Sequence, residues 1–199
     1  MSGLVILTMA RSRSSMTAEI FKRHGVFFGD TWLREDGRIG YNEHKWLKER
    51  SKNRPLYRSL LGQDYRDPEL YIGNAQSWIE ELKDNGWDGV SPWGCKVDAF
   101  CHNAFKVLDP YYIGLVRNPE DTAESAYRVL STSLPISMED WYKIISMHHD
   151  RMRNLGIDMI DTDQLVKGDY AEIELCLDKL GMGFMPEIAD EVIGEGKLN

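Results

Sequence analysis

Short apolar runs alternate with segments of helical spacing along this chain. Apolar runs without polar alternation are typical of strands buried on both faces, and we predict such strands over residues 3–9, 111–116 and 157–160, with a shorter strand over residues 92–96. Helical spacing predicts helices over residues 14–24, 41–51, 76–85, 99–107, 136–155 and 170–180. Strands that alternate with helices predict a three-layer α/β fold, in which helices flank both faces of a parallel sheet.

A further helix is predicted after residue 117. Asn118 suits the N-cap and Pro119 the first helical position, and two acidic residues follow at the positive end of the helix dipole. The apolar stripe that we expect to face the sheet consists of Ala123, Ala126, Tyr127 and Leu130. Ser125 lies about 200° around the helix from Ala123. It is therefore not a core serine, but either a solvated residue or a ligand contact.

Length and composition suit one globular domain over residues 1–199. Hydrophobic residues make up 42% and charged residues 28% of the chain, and no repeat or Gly/Ser-rich tract marks a domain boundary. Residues 30–90 fit a helical insertion between strands, which is where binding loops gather. Five of the six tryptophans fall within residues 30–95, and we expect most of them to pack in the core: Trp32, Trp46, Trp78, Trp87 and Trp93.

Charge and cysteine usage exclude several classes of function. The net charge is −8 and the pI is about 5.2, which argues against a nucleic-acid partner, because phosphate contacts need clustered Lys and Arg. The three cysteines form no CxxC pair, so we expect a reducing compartment and no metal site. The first apolar run is too short for a membrane span and has arginines after it, so we expect no membrane segment, no signal peptide and a cytoplasmic location.

Positive charge is concentrated in the first third of the chain. Residues 1–33 carry +2 and residues 34–66 carry +4, whereas residues 67–156 carry −6 and residues 157–199 carry −8. A positive region attracts anionic ligands. Scattered surface charge fits this count equally well, so the distribution gains meaning only from the motifs within it.

The segment between the first predicted strand and helix has the chemistry of an anion site. It holds two arginines and three serines in succession, namely Arg11, Ser12, Arg13, Ser14 and Ser15. In a parallel sheet, ligands bind at the carboxyl ends of strands, and a helix N-terminus offers free N–H groups to an anion. The segment predicts a phosphate or sulfate site; the alternative is that Ser14 or Ser15 only caps the helix and the arginines are solvated. The Walker A pattern is absent, which argues against Mg-dependent NTP hydrolysis.

A second basic residue, Arg117, follows the predicted strand over residues 111–116, and Ser125 comes eight residues later. An Arg-Ser-x-Ser-Ser loop after the first strand, together with this Arg-x-Pro and serine, resembles the sulfotransferases. That family has a P-loop-like α/β fold and uses 3′-phosphoadenosine 5′-phosphosulfate (PAPS), which leaves as 3′-phosphoadenosine 5′-phosphate (PAP). Residues 40–44 resemble a Gly-Tyr-x-Glu segment of bacterial members, and residues 93–96 resemble their Trp-Gly-x-Lys turn.

The resemblance implies a role for each of these residues. The loop from Arg11 to Ser15 would hold the 5′-phosphosulfate, and Arg117 with Ser125 would hold the 3′-phosphate. Arginine suits a tetrahedral anion because it offers fixed bidentate donors, and Arg11 would also neutralise charge during transfer. Arg13 departs from the family, because glycine usually stands at its position and lets the backbone approach an anion.

An acceptor hydroxyl also needs a base. Glu43 and His44 are the first candidates, because they lie in the Gly-Tyr-x-Glu segment, and His102 is the next; each of these residues has an ordinary alternative at an exposed surface. Lys96 is placed either near the transferred group or at the surface beside Asp98. His148 and His149 lie within the predicted helix over residues 136–155, and we expect them on a solvated face rather than in a site. Residues 30–90 would form the acceptor side.

The hypothesis from sequence is therefore a PAPS-dependent sulfotransferase that acts on a hydroxyl or amine of a small-molecule or glycan acceptor. One alternative is a kinase of a small molecule or nucleotide on the same fold. Another is a non-catalytic module that binds an adenosine phosphate, which Arg13 in place of glycine keeps open.

Overall fold

The structure is a computed structural model that describes residues 3–31 and 75–197. Its centre is a parallel sheet with the strand order β2-β1-β3-β4. The strands are β1 (Gly3–Thr8), β2 (Trp93–Asp98), β3 (Tyr111–Val116) and β4 (Asp158–Asp161). The predicted α/β fold class is confirmed, and the bounds of the four predicted strands agree to about two residues.

Helices connect the strands. They are α1 (Ser14–Arg23), α2 (Ala75–Asp84), α3 (Pro119–Leu130), α4 (Met138–Asn154), α5 (Thr162–Leu165), α6 (Ala171–Lys179) and α7 (Pro186–Lys197), together with a 3-10 helix (Ala99–Leu108) after β2. The sequence predicted neither α5, which has four residues, nor α7, in which two glycines lower helix propensity. The predicted helix over residues 41–51 and most of the insertion over residues 30–90 lie outside the described residues. No described helix is long and apolar enough to cross a membrane.

Both faces of the sheet are covered, which makes three layers. One face packs on α1, α6 and α7 through a core that includes Leu4, Ile6 and Phe21. The other face packs on α2, the 3-10 helix and α4, and there the rings of Trp78 and Trp93 meet edge to face at 6.3 Å. The tryptophans of residues 30–95 that the structure describes are core residues, as expected; Trp32 and Trp46 lie outside the described residues.

Helix α3 faces a helix rather than the sheet. Ala123 and Ala126 are buried against Trp141 of α4, and this contact forms a third, smaller core. Tyr127 was predicted to belong to the same buried stripe, but it is 44% exposed. That prediction was wrong because a single helix covers a narrower stripe of α3 than a flat sheet would.

The carboxyl ends of the strands lie side by side, which brings three loops together. Thr8 at the end of β1 is in register with Asp98 of β2, and Val116 at the end of β3 is in register with Asp161 of β4. The Oγ1 of Thr162 donates to the carbonyl of Val116 at 3.0 Å, which ties the turn after β4 to β3. The chain segments that follow β1, β3 and β4 therefore share one edge of the sheet.

Candidate anion-binding site at the carboxyl edge of the sheet

The loop between β1 and α1 turns through two residues with left-handed backbone. Arg11 has a φ of 69° and Arg13 a φ of 59°. This conformation costs a residue with a side chain roughly 1–2 kcal/mol, whereas glycine adopts it readily. Arg13 therefore occupies, under strain, a turn that suits glycine.

The serines of the loop are positioned by the turn rather than by helix capping. Ser12 is buried, and its Oγ lies 2.6 Å from the Oγ1 of Thr8 and donates to the carbonyl of Met9 at 2.8 Å. Arg13 is the N-cap of α1, and its side chain caps nothing. Ser14 and Ser15 are thus the first helical residues, and the alternative that one of them is the N-cap was wrong. The first turn of α1 can therefore present its N–H groups to an anion.

Lys96 brings a cation from β2 to the start of α1. Its side chain is buried, with 7% of the residue exposed, and Nζ donates to the Oγ of Ser15 at 3.2 Å. Lys96 is therefore not at the surface, which was one of the two positions considered from sequence; whether it meets a transferred group stays a prediction. A buried ammonium next to a helix N-terminus adds to the positive potential that the helix dipole already creates there.

Arg11 and Arg117 link the loop to β3 and α3. The Nε of Arg11 donates to the Oγ of Ser125 at 3.0 Å, and Nη1 of Arg117 donates to the carbonyl of Arg11 at 3.1 Å. Ser125 is only 5% exposed, so it is not the solvated residue that one interpretation of the helix pattern expected. The structure thus brings together the two half-sites that the sequence suggested separately.

The sequence analysis missed Asp163, which lies among these arginines. Its carboxylate forms an ion pair with Arg13, and it accepts from the backbone N–H of Asn118 at 2.8 Å. Arg13 also donates to the carbonyl of Thr162 at 3.0 Å, and Nε of Arg117 lies 3.7 Å from Oδ1 of Asp163. Its place two residues beyond the last strand of the sheet was the available signal for Asp163.

The site is electropositive despite this carboxylate. Burial, followed by repulsion from Arg13 and Arg11, lowers the pKa of Arg117, because each effect disfavours its charged form. Burial opposes the ionisation of Asp163, but the N–H of Asn118 and the Arg13 guanidinium outweigh it and lower the pKa of that carboxyl. Arg117 thus bears its charge in surroundings that a further anion would relieve.

Of the residues proposed as the base, the structure describes His102, whose hydrogen bonds and ring contacts are with residues outside the β1–α1 loop. His102 lies on the 3-10 helix, where its ring packs edge to face on Tyr112 and its Nδ1 lies 3.3 Å from Nη2 of Arg151. Burial and then the charge of Arg151 lower the pKa of His102 to about 4, so its ring is neutral at pH 7. Glu43 and His44 lie outside the described residues. Among residues 3–31 and 75–197, no cluster of His, Cys, Asp or Glu could hold a metal ion.

A buried pair lies where the sequence predicted a solvated helix face. His148 is fully buried, with its Nδ1 2.8 Å from the carbonyl of Ile144 and its Nε2 3.0 Å from Oδ2 of Asp98. Both ring nitrogens face oxygen atoms, an arrangement that favours the doubly protonated ring. Burial lowers the pKa of His148, but the charge of Asp98 outweighs this effect and raises it overall. Asp98 also accepts from the N–H of Phe100 at 2.9 Å and so caps the 3-10 helix.

Comparison with known proteins shows the fold. No protein-family model matches the chain, and no curated protein matches it. The sulfotransferase from Alicyclobacillus acidocaldarius superposes with a TM-score of 0.56 and 15% identity, over 96% of this chain and 90% of that one. The sulfotransferase domain from the Synechococcus PCC 7002 olefin synthase gives a TM-score of 0.53 and 16% identity, over 94% and 75% of the two chains.

A third solved structure is less similar to this chain. A retinol dehydratase in complex with androsterone and inactive cofactor PAP superposes with a TM-score of 0.47 and 12% identity, over 96% of this chain and 63% of that one. The two better superpositions show that the chain has the sulfotransferase fold, as the resemblance in its motifs predicted.

Proposed function

We propose that this protein is a PAPS-dependent sulfotransferase, which moves a sulfuryl group to a hydroxyl or amine of a small-molecule or glycan acceptor. The observation that carries the proposal is the contact of Arg11 with Ser125 and of Arg117 with the Arg11 carbonyl. These contacts join the loop after β1 to the segment after β3, so one ligand with two phosphate groups can reach both. The sulfotransferase fold supports the same assignment.

The two ends of PAPS would be held by different parts of the site. The 5′-phosphosulfate would lie at the N-terminus of α1, near Ser14, Ser15 and Lys96, where helix N–H groups and an ammonium converge. The 3′-phosphate would lie on Arg117 and take the hydroxyl of Ser125 in place of Arg11. Arg11 would then be released toward the 5′ end, where charge builds on the leaving phosphate.

In the proposed reaction, the acceptor oxygen or nitrogen forms a bond to sulfur while the bond from sulfur to the 5′-phosphate oxygen breaks. PAP leaves with the electron pair of that bond, and a base takes the acceptor proton. Arg11, Lys96 and the α1 N-terminus would stabilise the negative charge that develops on the leaving phosphate, which needs no metal ion. Glu43, His44 and His102 remain candidates for the base; the contacts of His102 with Arg151 and Tyr112 give it a packing role as well.

Calorimetric titration tests the cofactor assignment. The protein is titrated without Mg²⁺ with PAP, ATP and adenosine 5′-phosphate, and we expect selective binding of PAP. Arg117→Ala should weaken PAP at least about 10-fold, because a hydrogen bond to a charged group is worth about 1.5–3 kcal/mol. The matched control is Arg128→Ala, an exposed arginine on α3. It should bind PAP as the wild type does.

Turnover separates the enzyme from its alternatives. With PAPS and p-nitrophenol as a probe acceptor, Arg11→Ala should lower the rate of PAP release more than it lowers PAP affinity. Unchanged PAP affinity in Arg117→Ala would contradict the 3′-phosphate assignment. Binding of ATP only with Mg²⁺, and none of PAP, would favour the kinase. If the protein binds PAP but transfers no sulfuryl group from PAPS to an acceptor, the non-catalytic module is favoured.

A further inference from the structure

The turn after β4 holds Asp163 in a fixed place at the carboxyl edge of the sheet. Asp161 accepts from the N–H of Asp163 at 2.8 Å, which closes the turn into α5. Thr162 is fully buried, and its hydroxyl is bonded to the Val116 carbonyl of β3. The backbone that leads into Asp163 is therefore tied to the sheet, which fixes the place from which its carboxylate projects.

The Asp163 carboxylate lies in the segment after β4 and contacts the two segments that follow β1 and β3. One oxygen pairs with Arg13 of the β1–α1 loop and lies 3.7 Å from Nε of Arg117, which follows β3. The other oxygen accepts from the N–H of Asn118 at the start of α3. Among the described residues, no other carboxylate has a hydrogen bond or ion pair to two of these segments.

Asp163 contacts two arginines, Arg13 and Arg117, in different ways. The guanidinium of Arg13 is engaged by the Asp163 carboxylate and the Thr162 carbonyl, so it is directed toward the β4 turn. Among the described residues, Arg117 has only a longer contact with Asp163 and a hydrogen bond to the Arg11 carbonyl. Because like charges repel, Arg13 and Arg117 would separate without a carboxylate between them.

We infer that Asp163 is a positioning residue for recognition of the 3′-phosphate: it holds Arg13 against the turn after β4 and fixes the place of Arg117, whose Nη1 donates to the Arg11 carbonyl. This inference rests on the proposed function, because it assigns Arg117 to the 3′-phosphate. It differs from the expectation that Arg13 binds the cofactor directly. On this inference Arg13 acts through Asp163, because its guanidinium is directed toward the turn after β4.

The test is the affinity ratio between PAP and adenosine 5′-phosphate, which differ only in the 3′-phosphate. Asp163→Asn keeps the shape of the side chain and an acceptor for the Asn118 N–H but removes the charge. We expect it to lower this ratio about 10-fold, while the affinity for adenosine 5′-phosphate changes less than about 3-fold. Both affinities are measured calorimetrically on the whole chain, and a thermal melt checks that each variant folds.

The matched control is Asp158→Asn. Asp158 starts β4, so the same chemical change is made on the strand that leads to Asp163, but at its other end, where Asp158 pairs with Lys179. This control should lose stability without losing the preference for PAP. A fall in the ratio equal to that of Asp163→Asn would mean that a general loss of stability causes the effect, and would overturn the inference.

Asp163→Glu is a second variant, which keeps the negative charge. It tests the inference even if Asp163→Asn does not fold. We expect its ratio to lie between those of the wild type and Asp163→Asn. An unchanged ratio in Asp163→Asn, a tighter binding of PAP by that variant, or a loss in Asp163→Glu as large as in Asp163→Asn would each overturn the inference. Failure of the wild type to bind PAP would instead refute the proposed function.

Discussion

The energetic cost of the left-handed backbone at Arg13 can be measured with a pair of substitutions. Arg13→Ala and Arg13→Gly both remove the ion pair with Asp163, so the difference between them does not contain that contact. Alanine keeps a Cβ atom at a φ of 59°, whereas glycine does not. The free energy of unfolding of the glycine variant minus that of the alanine variant therefore reports the backbone strain at this position.

The expected difference follows from two opposing effects. A side chain in the left-handed region costs roughly 1–2 kcal/mol, which glycine avoids. Glycine in turn loses more conformational freedom on folding, which costs about 0.4–1 kcal/mol relative to alanine. We therefore expect Arg13→Gly to be more stable than Arg13→Ala by about 1 kcal/mol, or about 2–4 °C in Tm for a chain of this size.

Urea titrations followed by circular dichroism measure this difference, with equal m-values as the condition for comparing midpoints. Glu124 is exposed in the middle of α3 and supplies a control of opposite sign. There Glu124→Gly should be less stable than Glu124→Ala by about 1 kcal/mol, because glycine disfavours a helix interior. If Arg13→Ala proves as stable as Arg13→Gly, position 13 does not have a left-handed backbone in solution and the account of the loop is wrong.

Three further substitutions test the buried groups. The Asp98 carboxylate raises the pKa of His148 despite burial. The stability that His148 contributes relative to His148→Gln should therefore be complete below pH ~6.5 and fall as pH rises through the raised pKa. Urea titrations of both proteins across pH measure this difference. Burial, then a neighbouring guanidinium, lowers the pKa of His102 to about 4, so the protein should lose stability as pH falls from about 6.5 to 4, and His102→Asn should lessen that loss in the same titrations. Gly3→Ala should destabilise by about 2 kcal/mol in thermal melts, because its Cβ would lie 2.2 Å from the ring of Trp93; wild-type stability would contradict this packing.

Elements with strong local signals were predictable from the sequence. The continuous apolar run of β3 needs no knowledge of its neighbours, and the bounds of that strand agree with the prediction. Asn118 and Pro119 act locally as well: the Asn118 side chain accepts from the N–H groups of the next turn, as an N-cap does. Such features are encoded within a few residues, so one sequence is enough to find them.

Features that depend on distant partners were not predictable in the same way. Asp163 meets Arg13 across 150 positions of sequence, and nothing near either residue reports the contact. His148 was expected on a solvated face, yet α4 packs against both α3 and the 3-10 helix, so two of its faces are buried. The half-sites around Arg11 and Arg117 were predictable because both follow strands; the hydrogen bond that joins them was not.

The stability of the folded chain does not by itself explain why arginine rather than glycine occupies position 13. An ion pair between side chains that are 28% and 22% exposed contributes about 1 kcal/mol, which at best offsets the strain of a left-handed arginine. Strained backbone persists where the surrounding structure fixes it, and such positions cluster at functional sites. Because the same carboxylate that receives Arg13 also stands beside Arg117, the strain is better explained by the position it gives to the second arginine. A chain with glycine at position 13 would be free of the strain, but Asp163 would lose its ion pair with Arg13 and keep only its contacts with Arg117 and Asn118 among the described residues.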